Sequence, residues 1–153
     1  MNEQTPEVGF YHLQRVALER ALPKLLEKVL EQGRRAVVLA GSRERVEDLN
    51  GLLWTYEERS WLPHGGPGDG HAEAQPIYLT TEEENPNGAD VLVAIDGMQP
   101  GYVASFARVV DMFDGRDQHA LAAARERWKL YKSKNYPVTY WQQTESGGWQ
   151  KQA

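Results

Sequence analysis

Two uninterrupted apolar runs, Ala36-Val37-Val38-Leu39-Ala40 and Val91-Leu92-Val93-Ala94-Ile95, constrain this chain more than any other feature. Side chains of a strand alternate between the two faces of a sheet, so a run that is apolar at every position has to be covered on both. Each run is short and stops abruptly, the first between Arg35 and Gly41 and the second at Asp96. Both therefore predict strands buried in a parallel sheet, with helices packed above and below.

The rest of the chain supplies those helices. From Val16 to Gln32, Ala17, Leu18, Ala21, Leu22, Leu25, Leu26, Val29 and Leu30 recur at helical spacing, and Gly33 stands where a helix-ending glycine belongs. Pro23 predicts a break or kink in that helix. Ser42 caps a second helix carrying Val46, Leu49, Leu52 and Leu53 up to Trp54. Further strands are expected at Val8 to Leu13, Gln75 to Thr80 and Ala107 to Phe113, with a short helix from Pro100 to Phe106. Asp114 or Asp117 caps a long helix that ends near Asn135, because Pro137 disfavours helix in the residue before it. Val138-Thr139-Tyr140-Trp141 reads as a short strand or a docking segment. Gly65 to Gly70 reads as a flexible connector, and Thr81 to Gly88 as an acidic, turn-rich stretch. The expected organisation is a polar segment 1–7, a single α/β domain 8–142 and a flexible polar tail 143–153.

Composition removes several chemistries. At 153 residues, 25% charged and 41% hydrophobic, the chain has the size and balance of one soluble domain. It has no cysteine, so disulfides, thiolate metal sites and cysteine nucleophiles are excluded. The N-terminus has no basic and apolar leader, and no run approaches the ~20 apolar residues of a membrane span; a cytoplasmic protein is expected. A net charge of −5 argues against binding nucleic acid through bulk phosphate contacts, so any cationic site has to be local.

No phosphate-binding loop is present. Gly41-Ser42-Arg43-Glu44 has the right location between strand and helix but a single glycine, so the sheet is expected to be Rossmann-like without a phosphate site, and no cofactor is expected. The histidines His12, His64, His71 and His119 show no metal-ligand spacing. Asp96 and Asp111 each close a predicted strand, where a metal-dependent hydrolase could place carboxylates; the same residues commonly cap helices and start turns.

The long C-terminal helix carries the most informative surface. At helical spacing Arg125, Trp128, Lys129 and Lys132 share one stripe, so three cations surround one indole. The opposite side, Ala120, Ala123, Ala124, Leu130 and Tyr131, is apolar enough to lie on a core, which predicts that Trp128 faces water. Such a stripe suits an anionic partner, either a single-stranded nucleic acid stacked on the ring or an acidic peptide with a free carboxylate. Trp54, Trp61, Leu62 and Pro63 form a second candidate surface, rich in residue types that anchor protein interfaces.

The order of elements, Trp61-Leu62-Pro63-His64 before a glycine-rich loop, Val109-Val110-Asp111-Met112-Phe113, and above all Ala124-Arg125-Glu126-Arg127-Trp128-Lys129-Leu130-Tyr131 resemble the chi subunit of bacterial DNA polymerase III. The resemblance runs from about Val8 to Trp141. It implies a non-catalytic adaptor with an α/β fold that docks the acidic, phenylalanine-ended C-terminal tail of single-stranded-DNA-binding protein and links it to the clamp-loader complex. By position, Arg125, Trp128, Lys129 and Lys132 look like the tail-binding helix, with Phe113 lining the pocket. Trp54, Trp61, Leu62, Pro63 and His64 look like the patch for the psi subunit, or for another partner such as a helicase. The chain departs from better-known members in the acidic insertion Glu82 to Asn87 and in its extension after Trp141.

Overall fold

The computed structural model describes residues 5–14, 17–55, 64–66, 72–146 and 148–152, with backbone alone at 54 and 55. Strands run β1 Glu7–Leu13, β2 Ala36–Leu39, β3 His64–Gly65, β4 Ile77–Thr80, β5 Val91–Ala94, β6 Arg108–Asp114, β7 Val138–Gln143 and β8 Trp149–Lys151. Three helices lie among the described residues: α1 Leu18–Glu31, α2 Arg43–Thr55 and α3 Gln118–Ser133. The strands form one sheet in the order β3-β4-β2-β5-β6-β1-β7-β8, parallel throughout except for the antiparallel β7–β8 pair. This is the mostly parallel α/β sheet that the apolar runs require.

The register shows why those runs are apolar at every position. Ala36 and Val38 of β2 enter one core with Leu22 and Leu26 of α1 and Leu49 and Leu53 of α2. Val37 and Leu39 enter the other, with Phe10, Phe106, Phe113 and Tyr131. In β1 the same alternation sends Tyr11 and Leu13 to the α1–α2 side and Val8 and Phe10 to the α3 side. The two cores are thus separated by the sheet, each filled by alternate residues of the same strands.

Local signals fix most element ends. The Ser42 hydroxyl accepts from the Arg45 amide at 3.1 Å and starts α2. At the end of α1, Gly33 takes a φ of 72°, with Gly33 N–H donating to Leu30 and Arg34 N–H to Val29. This is a Schellman closure. Asn135 closes α3 the same way at a φ of 61°, with Tyr136 N–H donating back to Tyr131.

Four expectations require correction. Helix α1 runs through Pro23 without a break; the carbonyl that loses its donor is that of Glu19, in the first turn. Between Pro100 and Phe106 there is only a single 3-10 turn, Val103–Ser105. Gly65, expected to begin the glycine-rich connector, instead pairs with Tyr78, next to His64 with Ile77, as an edge strand, and residues 67–70 of that connector lie outside the described residues. Residues 143–146 and 148–152 are not a loose tail: Thr144 N–H donates to the Gly148 carbonyl at 2.8 Å, and β8 returns along β7. Its anchor is Trp149, whose ring packs edge-on against Tyr11 at 5.1 Å.

Candidate functional site

The outer surface of α3 is set by what its inner face does. Asp117 caps the helix, its carboxylate accepting from His119 at 2.9 Å and Ala120 at 3.2 Å. Ala124, Arg127 and Tyr131 are the buried positions, and Ala123, expected on the core, is exposed. Sequence periodicity placed no charge inside; the structure buries one. Arg127 donates from Nε to Asp111 Oδ2 at 2.6 Å and from Nη2 to Oδ1 at 2.9 Å, and both side chains are under 5% exposed. This fork-to-fork geometry fixes α3 in rotation against β6. Burial pushes the Asp111 carboxyl up, against the pull of the Arg127 guanidinium.

With Arg127 held inward, Arg125, Lys129 and Lys132 point to solvent, and Trp128 stands at the boundary. The indole is half-buried rather than on the wet face. It packs edge-on against Phe10 at 5.6 Å and Tyr140 at 5.8 Å, and Lys132 Nζ lies 5.4 Å from its centroid. Phe10 and Tyr140 share a face because they are register partners between β1 and β7. Phe113, 4% exposed at the end of β6, lies edge-on to Phe10 at 6.5 Å and to Tyr140 at 6.3 Å. The structure therefore joins Trp128 to Phe113 through Phe10 and Tyr140, two residues that the sequence reading did not single out. Their signal was present in the strand Val8 to Leu13 and in Val138 to Trp141, but pairing them needs the sheet order.

Two of the cations are free of carboxylates. Among the described residues neither Arg125 nor Lys132 has an ion-pair partner, whereas Arg34, Arg45, Arg116 and Arg127 all do. Lys129 reaches Glu126 at 3.5 Å, with both side chains 73% exposed, a contact of little energetic weight. The positive charge of Arg125 acts on its neighbours: it opposes the upward push of burial on the Tyr140 phenol and adds to the lowering of the His12 imidazole. A surface of half-exposed rings bordered by unpaired cations can hold an aromatic group and a carboxylate side by side.

The second candidate patch is less defined. Trp61, Leu62 and Pro63 lie outside the described residues, and of Trp54 only the backbone, in the last turn of α2, is described. His64 is 7% exposed in β3, its Nε2 3.2 Å from the Asn50 carbonyl.

Asp96 and Asp111 do not converge on a metal site. Asp111 is held by Arg127, and Asp96 accepts from the Gly41 amide at 3.0 Å and from Arg45 Nε at 3.2 Å. No group of three potential metal ligands occurs among the described residues. A cavity of about 530 Å³ does open at the C-terminal ends of β1, β5 and β6, between the first turns of α1 and α3. Its arginines are already engaged: Arg45 bonds Glu19 at 2.7 Å and Asp96, and Arg127 bonds Asp111. No helix among the described residues is long and apolar enough to cross a membrane.

Comparison with known proteins bears on this surface. Residues 5–139 match the family described as DNA polymerase III chi subunit, HolC. A Rickettsia prowazekii protein named "Probable DNA polymerase III subunit chi" is 32% identical over 115 residues, 71% of this chain and 70% of the relative. Proteins named DNA polymerase III subunit chi from Pseudomonas aeruginosa and Escherichia coli are 28% and 22% identical, covering 75% and 76% of this chain and 79% of each relative.

Proposed function

Because the chain belongs to the DNA polymerase III chi subunit family and is a replication accessory subunit, we propose that its α3 surface docks the acidic, phenylalanine-ended C-terminal tail of single-stranded-DNA-binding protein. The protein then acts as a non-catalytic adaptor that links that tail to the clamp-loader complex. The observation that carries this reading is the grouping of Arg125 and Lys132, neither with a carboxylate partner among the described residues, around half-buried Trp128 in a chain of net charge −5.

Each group has a task in that complex. The Arg125 guanidinium receives the terminal carboxylate as a bidentate pair. Trp128 and Tyr140 cover the phenylalanine ring, with Phe113 and Phe10 beneath them holding both in place. Lys129 and Lys132 attract the acidic residues upstream, which raises the encounter rate and makes it salt-dependent. For the second partner, the psi subunit or another replication protein such as a helicase, Trp54, Trp61, Leu62 and Pro63 supply the anchors. His64, which follows those residues directly in sequence, has its ring 3.2 Å from the Asn50 carbonyl of α2.

The test is a calorimetric titration of the full chain with an acidic peptide ending in phenylalanine. Binding in about the micromolar range is expected, weakening as salt rises. Arg125→Ala and Trp128→Ala each reduce affinity by about tenfold or more, the effect of losing roughly 1.4 kcal/mol. Undiminished binding in both variants contradicts the assignment.

A further inference from the structure

β8 ends the sheet, and its outer side is a free edge. Antiparallel strands bond to each other through every second residue. Thr144 N–H donates to the Gly148 carbonyl and Gln152 N–H to the Tyr140 carbonyl, so the backbone groups that face β7 belong to Gly148, Gln150 and Gln152. Those of Trp149 and Lys151 point the other way, out of the sheet. Neither amide reaches an acceptor among the described residues. Such an edge is a template for one more strand, and proteins commonly blunt it with lysine. Here the guard is Lys151.

The side chains along this edge complement a second copy of themselves. Lys151 is the register partner of Trp141, and Trp141 of Tyr11, so Trp149 and Lys151 share the Tyr11 face while Gln150 lies on the opposite one. Two β8 strands paired antiparallel about a twofold axis at Gln150 bring Trp149 of each copy opposite Lys151 of the other. These are the residues whose backbone groups point outward, so about four hydrogen bonds close the pairing. Each ammonium then meets an indole across the strands instead of another ammonium. The two Gln150 amides face each other on the axis. Centring on Lys151 would oppose two cations, and centring on Trp149 would move Lys151 two residues from the ring, so the lysine that guards the edge also selects this register. The indole is already in place, edge-on to Tyr11 at 5.1 Å, and Tyr11 is itself stacked on Trp141 at 6.1 Å and bonded by Arg108 at 2.8 Å. Little ordering is left to be done on association.

We propose that β8 is a self-association edge, joining two copies of this chain into one continuous sheet through a twofold β8–β8 pairing centred on Gln150. The helices do not stand in the way: α1 packs on β6, α2 on β3 and β4, and α3 on β1, β6 and β7. The twofold puts both α3 helices on the same side of the joined sheet, with the two β7 strands about 14 Å apart. The α3 surface of each copy stays open, so the pairing stands whether or not that surface docks a tail. Three residues a side bury far less than the total of about 1,200 Å² typical of a stable interface, which makes this a weak dimer, with a dissociation constant on the order of 100 µM.

Sedimentation equilibrium of the full chain from about 10 µM to about 1 mM tests the pairing, with monomer expected at the low end and mostly dimer at the high end. Gln150→Lys sets two ammonium groups on the axis and Gln150→Glu two carboxylates, so each variant alone stays monomeric throughout. An equimolar mixture of the two dimerises again, because opposite charges now face each other. Lys151→Pro removes the outward donor and the cation but spares the bond from Gln152 to Tyr140; it abolishes the dimer and leaves the amide spectrum outside β8 unchanged. A wild-type chain that is monomeric at about 1 mM overturns the proposal. So does a dimer that survives both Gln150→Lys and Lys151→Pro, or a mixture of the two charged variants that remains monomeric.

Discussion

One face of the sheet is covered by α1 and α2 over a core of mainly leucine, valine, alanine and isoleucine, while the other is covered by α3 and the 3-10 turn Val103–Ser105 over a core that mixes valine, leucine and alanine with Phe10, Tyr78, Phe106, Phe113 and Tyr131. The charges differ in the same way. On the first face Arg45 bridges Glu19 and Asp96 and ties the start of α1 to the end of β5. On the second, Arg127 is sealed inside with Asp111, and Arg125, two residues earlier, is left in solvent without a carboxylate. On the first face the Arg45 guanidinium is therefore satisfied within the protein itself. The other face keeps Trp128 and Tyr140 half-covered beside unpaired cations, which is the condition for docking an anion with an aromatic side chain.

The largest change that breaks this contrast is Arg127→Ala. It strands the Asp111 carboxylate inside the protein and is expected to cost about 3–5 kcal/mol in chemical denaturation. Because the same pair orients α3, peptide binding disappears too. Replacing both partners together, by Arg127→Met and Asp111→Leu, recovers most of the stability if burial of a lone charge is the cause.

Leu26→Ala on the α1–α2 face sharpens the comparison. Leu26 is fully buried, so a loss of about 2–5 kcal/mol is expected. Under conditions where the variant is folded, its affinity for the peptide stays within about twofold of wild type, as additivity between distant sites requires. Gly115→Ala comes next. The added Cβ meets the His12 ring, which has to move, at a cost of about 1–3 kcal/mol in thermal or chemical unfolding. Here affinity falls as well, because Tyr140 loses its hydroxyl partner.

The smallest effect belongs to Glu19. The hydrogen bond from Arg45 holds its pKa below the ordinary 4.5, in spite of some burial. A carboxylate depressed in the folded state contributes stability above its unfolded value and loses it as pH falls through the folded one. Unfolding midpoints measured between pH 5 and pH 3 should therefore decline less steeply in Glu19→Gln. With the carboxylate 46% exposed, the difference stays within about 1 kcal/mol.

The central strands were legible because burial on both faces leaves no room for a polar residue, and β2 and β5 carry none. Caps at Ser42, Asp117 and Gly33 were legible because they are local. What could not be read depends on partners remote in sequence. Trp149-Gln150-Lys151 is an edge strand held by its ladder with β7 and by Trp149 against Tyr11, so its own pattern is that of a polar tail. Arg127 looks like any solvent-facing arginine until β6 brings Asp111 beneath it. His12 and Tyr140 meet across 128 residues. Arg125, Lys129 and Lys132 are exposed on α3 as their spacing requires, but Trp128 was placed too far into water because the rings of Phe10 and Tyr140 lie on other elements.

The most direct measurement is amide chemical-shift mapping of the full chain with the phenylalanine-ended acidic peptide. The account predicts that the perturbed amides cluster on α3 around Arg125 to Lys132, on the C-terminal half of β1 and on β7 around Tyr140, with α1 and α2 silent. Perturbations concentrated instead along α2 and β4, with α3 unmoved, would contradict it.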